Sequence, residues 1–288
     1  MLNKIKSFFR LFNKAFTLFN HFNGLRLSAA LAYYTVFSIG PFLIILISLA
    51  GIFFGKQAVE GKVYGQISGL IGGATATQVQ DIISNIEKSN HGTIGSIIGF
   101  IVLVVGASAV FSELQDSITH IWSTRPKPSK GWTNLIIRKL LSFSLLLGMA
   151  FILMVSLFVN ALTDVLSDIL KSRFPESIVK SFYVVNNILI LLVVGLLFTL
   201  IFKILPNTRI RWKDAILGAL FTSVLFLIGK FIIGFYLGNS KIGITYGTAA
   251  SIVILMLWVY YSAIILYFGA CFTRVYIASK AKQALPYV

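Results

Sequence analysis

Acidic residues are scarce in this chain of 288: nine aspartates and glutamates stand against 25 lysines and arginines, with three histidines, six prolines and one cysteine. Charge of either sign is thin, at 12% of residues, where a soluble domain carries about a quarter. The lone Cys271 cannot close a disulfide within the chain, and it lies in an apolar run where a small packing residue fits. The histidines are scattered and the acids few, so the clustered ligands of a metal site do not arise. No GxxxxGK[ST] phosphate loop occurs, so any pumping would be driven by an ion or by a partner protein. No cofactor is implied.

What the chain has in quantity is apolar length. Hydrophobic residues make up 57% of it, and several runs exceed the roughly 18 apolar residues needed to cross a hydrocarbon core of about 30 Å. The composition predicts an all-α, polytopic membrane protein. Six spans follow, at about 32–55, 94–111 (continuing as helix toward Trp122), 139–163, 182–205, 215–238 and 247–273. They form one membrane domain over 29–274, with an amphipathic segment at 1–28 and a tail at 275–288.

The basic residues divide unevenly over the connections. Seventeen fall on the side of both termini, seven on the other, and Lys230 lies within a span. Glu60, Asp81, Glu87, Asp168 and Glu176 accompany the poorer side. This asymmetry predicts that both termini are cytoplasmic. It also argues against nucleic acid as a partner, because the positive charge is spread over four connections rather than gathered on one face. Membrane lipids, with anionic headgroups at the cytoplasmic face, are the expected partners, and a homo-oligomer or an envelope protein is open. Trp122, Trp132 and Trp212 stand beside the basic residues, as interfacial anchors do.

Two segments do not span. KIKSFFRLFNKAFTLFNHF, Lys4–Phe22, repeats Ile5, Phe8, Phe12, Phe16 and Phe19 at helical spacing, with Lys6, Arg10, Asn13 and Lys14 largely elsewhere. It predicts a helix lying in the cytoplasmic interface. The loop 56–93 is too apolar and glycine-rich for a solvated connection and predicts short helices that cap or gate the outer face.

Charge inside a span is costly and marks function by default. In FLIGKFIIGFYLG, Lys230 lies about 22 Å along its helix from the cytoplasmic start, at 1.5 Å per residue. Asn160, Asp164, Asn186 and Asn187 belong to the same outer level and are its candidate partners in a transport or lipid-binding site; a snorkelling, structural lysine is the competing reading. FSELQDSITHIW puts Glu113, Asp116 and His120 on one helical face, roughly 15 Å lower. With Arg209 and Arg211, and with Arg125 as a further possible partner, that face forms a candidate inner polar layer or gate. Pro41, preceded by Ser38, bends the first span and marks a candidate hinge. GIFFG, GSIIG and GFYLG are small-xxx-small contact faces.

AALAYYTVFSIGPFLIILISLAG resembles the opening helix of the YihY/BrkB family of bacterial inner-membrane proteins. The likeness continues in ELQDSITHIW, LPNTRIRWKDAILGAL and YLGNSKIGITYGTAASIVILMLWVYYSAIILYFGA, from about residue 29 to 270. Tyr246 and Gly247, followed by Trp258 and Tyr260, form the most specific piece. The resemblance implies six spans in the bacterial cytoplasmic membrane, a link to virulence, and for some members lipid or lipopolysaccharide export. It also carries an old ribonuclease label, which these residues do not support, since metal-dependent hydrolysis needs clustered ligands. The expectation is therefore a non-enzymatic transporter or flippase-like protein, with a non-transporting envelope scaffold as the alternative.

Overall fold

A computed structural model of the chain describes residues 2–38, 77, 93–123, 176–206, 208, 210–239, 242–246 and 249–281. Among these every regular element is a helix. They are α1 (Leu2–His21), α2 (helical over 24–38), α3 (Thr93–Ile121), α4 (Glu176–Ile204), α5 (Trp212–Asn239), the single-turn α6 (Ile242–Tyr246) and α7 (Ala250–Lys280). α5 and α7 are long and apolar enough to cross a membrane over Trp212–Leu237 and Ile252–Lys280. The 29 residues of α3 and of α4 would each extend about 43 Å. In lipid such runs have to be helical, because only a helix satisfies its own backbone N–H and C=O groups within one segment. Serine and threonine fit the same helices by returning their hydroxyls to the carbonyl four residues back, as Ser28, Thr199, Ser223 and Ser262 do.

α3 is one continuous helix through FSELQDSITHI, so Glu113, Asp116 and His120 ride on its last turns. α1 is the amphipathic helix expected, and part of its apolar face packs on the bundle. Its buried line is Ala15, Leu18, Phe19 and Phe22 rather than the whole phenylalanine stripe, and Phe16 stays 54% exposed. Phe12 and Phe19 set their rings edge-on to Phe268, while Phe8 meets Phe221 and Phe272. Part of the apolar face of α1 is thus packed on α7 and α5, while Phe9 and Phe16 stay exposed. A sharp elbow follows. Asn23 takes φ 51°, which asparagine tolerates better than most residues, and a Cβ on Gly24 would come within 2.1 Å of the Phe19 ring.

α7 is the hub, touching α1, α3, α4, α5 and α6. Its contact with α5 is a reciprocal interlock. A Cβ on Gly218 would lie 1.9 Å from Thr273 Oγ1, and one on Gly269 would lie 2.0 Å from Thr222 Oγ1. Each threonine donates its hydroxyl to the glycine carbonyl of its own helix, at 2.7 Å in both cases. The pairing order shows that α5 and α7 are antiparallel. Lys203 over Trp212 and Gly195 against Ser223 make α4 and α5 antiparallel too. α2 and α3 run oppositely, with Phe22 near His120 and Ser38 against Gly106. α3 runs parallel to α7. These relative directions are those of successive spans in an alternating chain.

Candidate functional site

Four polar features occupy the bundle, two of them at the end where α3 and α7 finish and α5 begins and two further along it. The first is Asp214 in the opening turn of α5. Its side chain is 3% exposed, and it accepts from Arg211 Nε at 2.9 Å and from Lys280 Nζ at 3.1 Å. The carboxylate suits a helix N-terminus, and through Lys280 it ties the start of α5 to the end of α7. Beside it Lys203 donates to the Ile210 carbonyl and lies 5.4 Å from the centroid of the exposed Trp212 ring.

The second feature is Arg274. Its guanidinium donates to the Ile121 carbonyl, which ends α3, and to Ser123 Oγ at 3.1 Å, and it lies 5.5 Å from the Phe22 ring centroid. An arginine reaching terminal carbonyls closes a helix end. Here it comes from another helix and holds α1, α3 and α7 together.

Third, Ser117 Oγ donates to Glu113 Oε1 at 3.0 Å, one turn apart on α3. Tyr267 of α7, wholly buried, sets its hydroxyl against Ser117 and near Glu113. Asp116 and His120 lie on the exposed side, His120 edge-on to Phe22. Among the described residues no three His, Cys, Asp or Glu side chains converge as metal ligands would.

The fourth is Lys230, half-buried in α5. Next to it Gly229 receives the Tyr261 hydroxyl, 1.7 Å from where a Cβ would stand, while Gly234 faces open space. Counting along α4 from Lys203 at Trp212 and Gly195 at Ser223 brings residues 185–188 level with Lys230, which is where the backbones of Asn186 and Asn187 run. The side chains of these asparagines, and Asn160, Asp164, Pro41, Arg209 and Gly247 entirely, lie outside the described residues.

Of the inner layer expected from sequence, Glu113 meets Ser117 and Tyr267, which were not part of that expectation, whereas Arg211 turns to Asp214. The levels also shift. The α5–α7 interlock puts residue 261 level with Lys230, and Ser117 at Tyr267 puts Glu113 level with about residue 263. Glu113 and Lys230 thus stand within about one helical turn along the bundle axis, not roughly 15 Å apart. Ser38 is buried against Gly106 and donates to the Thr35 carbonyl at 3.0 Å. Trp258 packs edge-on to Phe226, Tyr260 is half-buried and Tyr246 is exposed. Trp122 is partly buried with its indole N–H inside, packed against the core. Asp214, Tyr267 and Arg274 are not among the site residues that the sequence points to. Asp214 alone had a local signal, as the single acid in TRIRWKDAIL.

Two apolar helices of span length, with these isolated polar groups, fit a helical membrane protein. The family model for virulence factor BrkB matches residues 15–286, and the chain belongs to that family. It is 28% identical over 251 residues to a UPF0761 membrane protein of Azotobacter vinelandii, covering 86% of this chain and 58% of that one. A UPF0761 membrane protein of Stenotrophomonas maltophilia is 26% identical over 252 residues, 84% and 55% of the two chains. One of Psychromonas ingrahamii is 27% identical over 247 residues, 83% and 78%. The chain therefore spans little more than half the length of the first two. No solved structure matches it.

Proposed function

We propose that the protein is a non-enzymatic, six-span protein of the bacterial cytoplasmic membrane, with both termini inside, that moves a lipid, an anionic amphiphile or a small solute. The observation that supports this best is Lys230, an ammonium group half-buried in a helix otherwise apolar for the length of a bilayer. Such a group is kept at a cost and suits an anionic headgroup or solute as its occupant. Glu113, Ser117 and Tyr267 supply a second polar site at a similar height, on a different helix pair. The positive charge of α1, α5 and α7 fits anionic headgroups at the cytoplasmic face.

The second reading is a non-transporting scaffold or lipid-organising protein, alone or as a homo-oligomer. It draws on the Gly218–Thr273 and Thr222–Gly269 interlock, which holds α5 and α7 too closely for a passage between them. Native mass spectrometry of the protein released from lipid nanodiscs separates the two readings. Wild type is expected to retain a specific anionic lipid or metabolite that Lys230→Met loses. Retention of bulk lipid alone by both forms favours the scaffold.

A further inference from the structure

We infer that Lys6, Arg10 and Lys14 on α1 bind the headgroup of an adjoining phospholipid that carries two phosphates. Burial divides α1 into three faces. At about 100° per residue, Ala15, Leu18, Phe19 and Phe22 share the side packed on the bundle. Phe9 and Phe16, 62% and 54% exposed, fall on one line about a third of a turn round from it. Lys6, Arg10, Asn13, Lys14 and Thr17 centre about a quarter turn further in the same sense. An interfacial helix turns its exposed apolar line down into the bilayer. With the bundle on one flank, the basic face then looks sideways from the other flank, at the headgroups of the next lipid rather than up into the cytoplasm.

This face is hollowed, and its charge is unbalanced. Lys6, Phe9, Arg10, Asn13, Lys14 and Thr17 line an open hollow of about 580 Å³. α1 contains no acid, and among the described residues no carboxylate pairs with Lys6, Arg10 or Lys14. Lys6 and Arg10, and again Arg10 and Lys14, stand one turn apart, a like-charge spacing that weakens a helix unless an anion lies between. Ammonium and guanidinium groups suit phosphate oxygens, the arginine through its two-pronged fork. The Thr17 hydroxyl is already given to the Asn13 carbonyl at 3.1 Å, which leaves the Asn13 amide as a neutral donor in the same hollow. Lys6 to Lys14 covers about 12 Å of helix, and three cations exceed the charge of one phosphodiester. Two phosphates in one headgroup fill that length and balance more of the charge. Phe9 belongs both to the hollow and to the apolar line, so the occupant is an amphiphile with its chains beside Phe9, not a free anion. The site rests on the proposed placement of α1 at the membrane surface, and not on transport through Lys230.

The full chain is placed in neutral phosphatidylcholine nanodiscs containing cardiolipin, whose headgroup has two phosphates, or phosphatidylglycerol at the same total charge. It is then released into a native mass spectrometer. Wild type is expected to retain cardiolipin, and to hold phosphatidylglycerol on the order of tenfold less. Lys6→Gln and Arg10→Gln, at exposed positions, each lower cardiolipin retention several-fold, and Phe9→Ser lowers it too. Lys213→Gln, an exposed lysine of α5, and Lys230→Met leave it unchanged, whatever else the second variant releases. Equal retention of the two lipids, or a loss in Lys213→Gln as large as in Arg10→Gln, means diffuse attraction and overturns the site. A loss confined to Lys230→Met moves the lipid to α5 and does the same. Inorganic pyrophosphate that displaces the lipid and binds regardless of Phe9→Ser, or an RNA oligonucleotide held in the lipid's place, also overturns it. A protein that keeps cardiolipin on α1 yet moves no substrate keeps the site and loses the transport reading; transport with no cardiolipin retained does the reverse.

Discussion

Asp214 shows how one side chain can organise the end of this bundle. Its carboxylate is almost closed to solvent, while Arg211 and Lys280 are 70% and 49% exposed. Losing a buried acid from a pair strands its partners only if they too are buried. Here both cations regain water, so Asp214→Asn is expected to cost about 1–2 kcal/mol of stability, below the penalty for breaking a fully buried pair. Arg211→Gln and Lys280→Gln each cost less, because the other cation still holds the carboxylate. Thermal unfolding of the three variants and the two double mutants checks this order. A larger loss from Arg211→Gln than from Asp214→Asn would show that the acid is not the centre. Residue identity carried part of this and no more. Lys230 announced itself, since any charge in such an apolar run stands out. Asp214 did not, because half of its meaning lies in Lys280, 66 residues further on.

The helices themselves were legible element by element, since an unbroken apolar run in lipid has one backbone solution. Their facing sides were less so. Small-xxx-small patterns were visible at Gly51–Gly55, Gly95–Gly99 and Gly234–Gly238, yet the described close contact uses Gly218 with Thr222 and Gly269 with Thr273. Such patterns occur by chance in any glycine-rich span, and only the register of two helices decides which are used. Register also decides depth: counting each helix from its own end misplaced Glu113 relative to Lys230. On α1, the stripe of phenylalanines gave the amphipathic character correctly but not the partner, which is α7 as much as any lipid. The interlock predicts a sharp contrast. Gly218→Leu and Gly269→Leu place bulk against a threonine whose own hydroxyl is engaged, and each is expected to cost about 1–3 kcal/mol or more. Gly234→Ala meets nothing within 4 Å and should be neutral or stabilising by up to about 1 kcal/mol. Unfolding midpoints in detergent would measure both, and equal effects at Gly218 and Gly234 would remove the interlock as the basis of the α5–α7 contact.

At the scale of the whole molecule, the helix directions gather positive charge at one end. α1 packs by Phe8, Phe12 and Phe19 near the last turns of α7, and Lys203, Arg211, Arg274 and Lys280 meet there through Ile210, Asp214 and Ile121. Phe268 lies five residues inside the predicted end of its span, about 7.5 Å. That depth suits a helix seated in the interface, with Lys6 and Arg10 exposed beyond it. Basic residues resist translocation, so the α1 end is expected to be cytoplasmic. Cysteine labelling tests the orientation in a quiet background, because the native Cys271 is buried. Lys6→Cys and Lys213→Cys carry exposed positions at the basic end, and Asn239→Cys an exposed position at the far end of α5. In intact cells with a permeable outer membrane, an impermeant maleimide should label Asn239→Cys alone. Lys6→Cys and Lys213→Cys should react only once the inner membrane is opened. Labelling of Lys6→Cys from outside would invert the orientation, and labelling of Lys213→Cys and Asn239→Cys from the same side would mean that α5 does not cross.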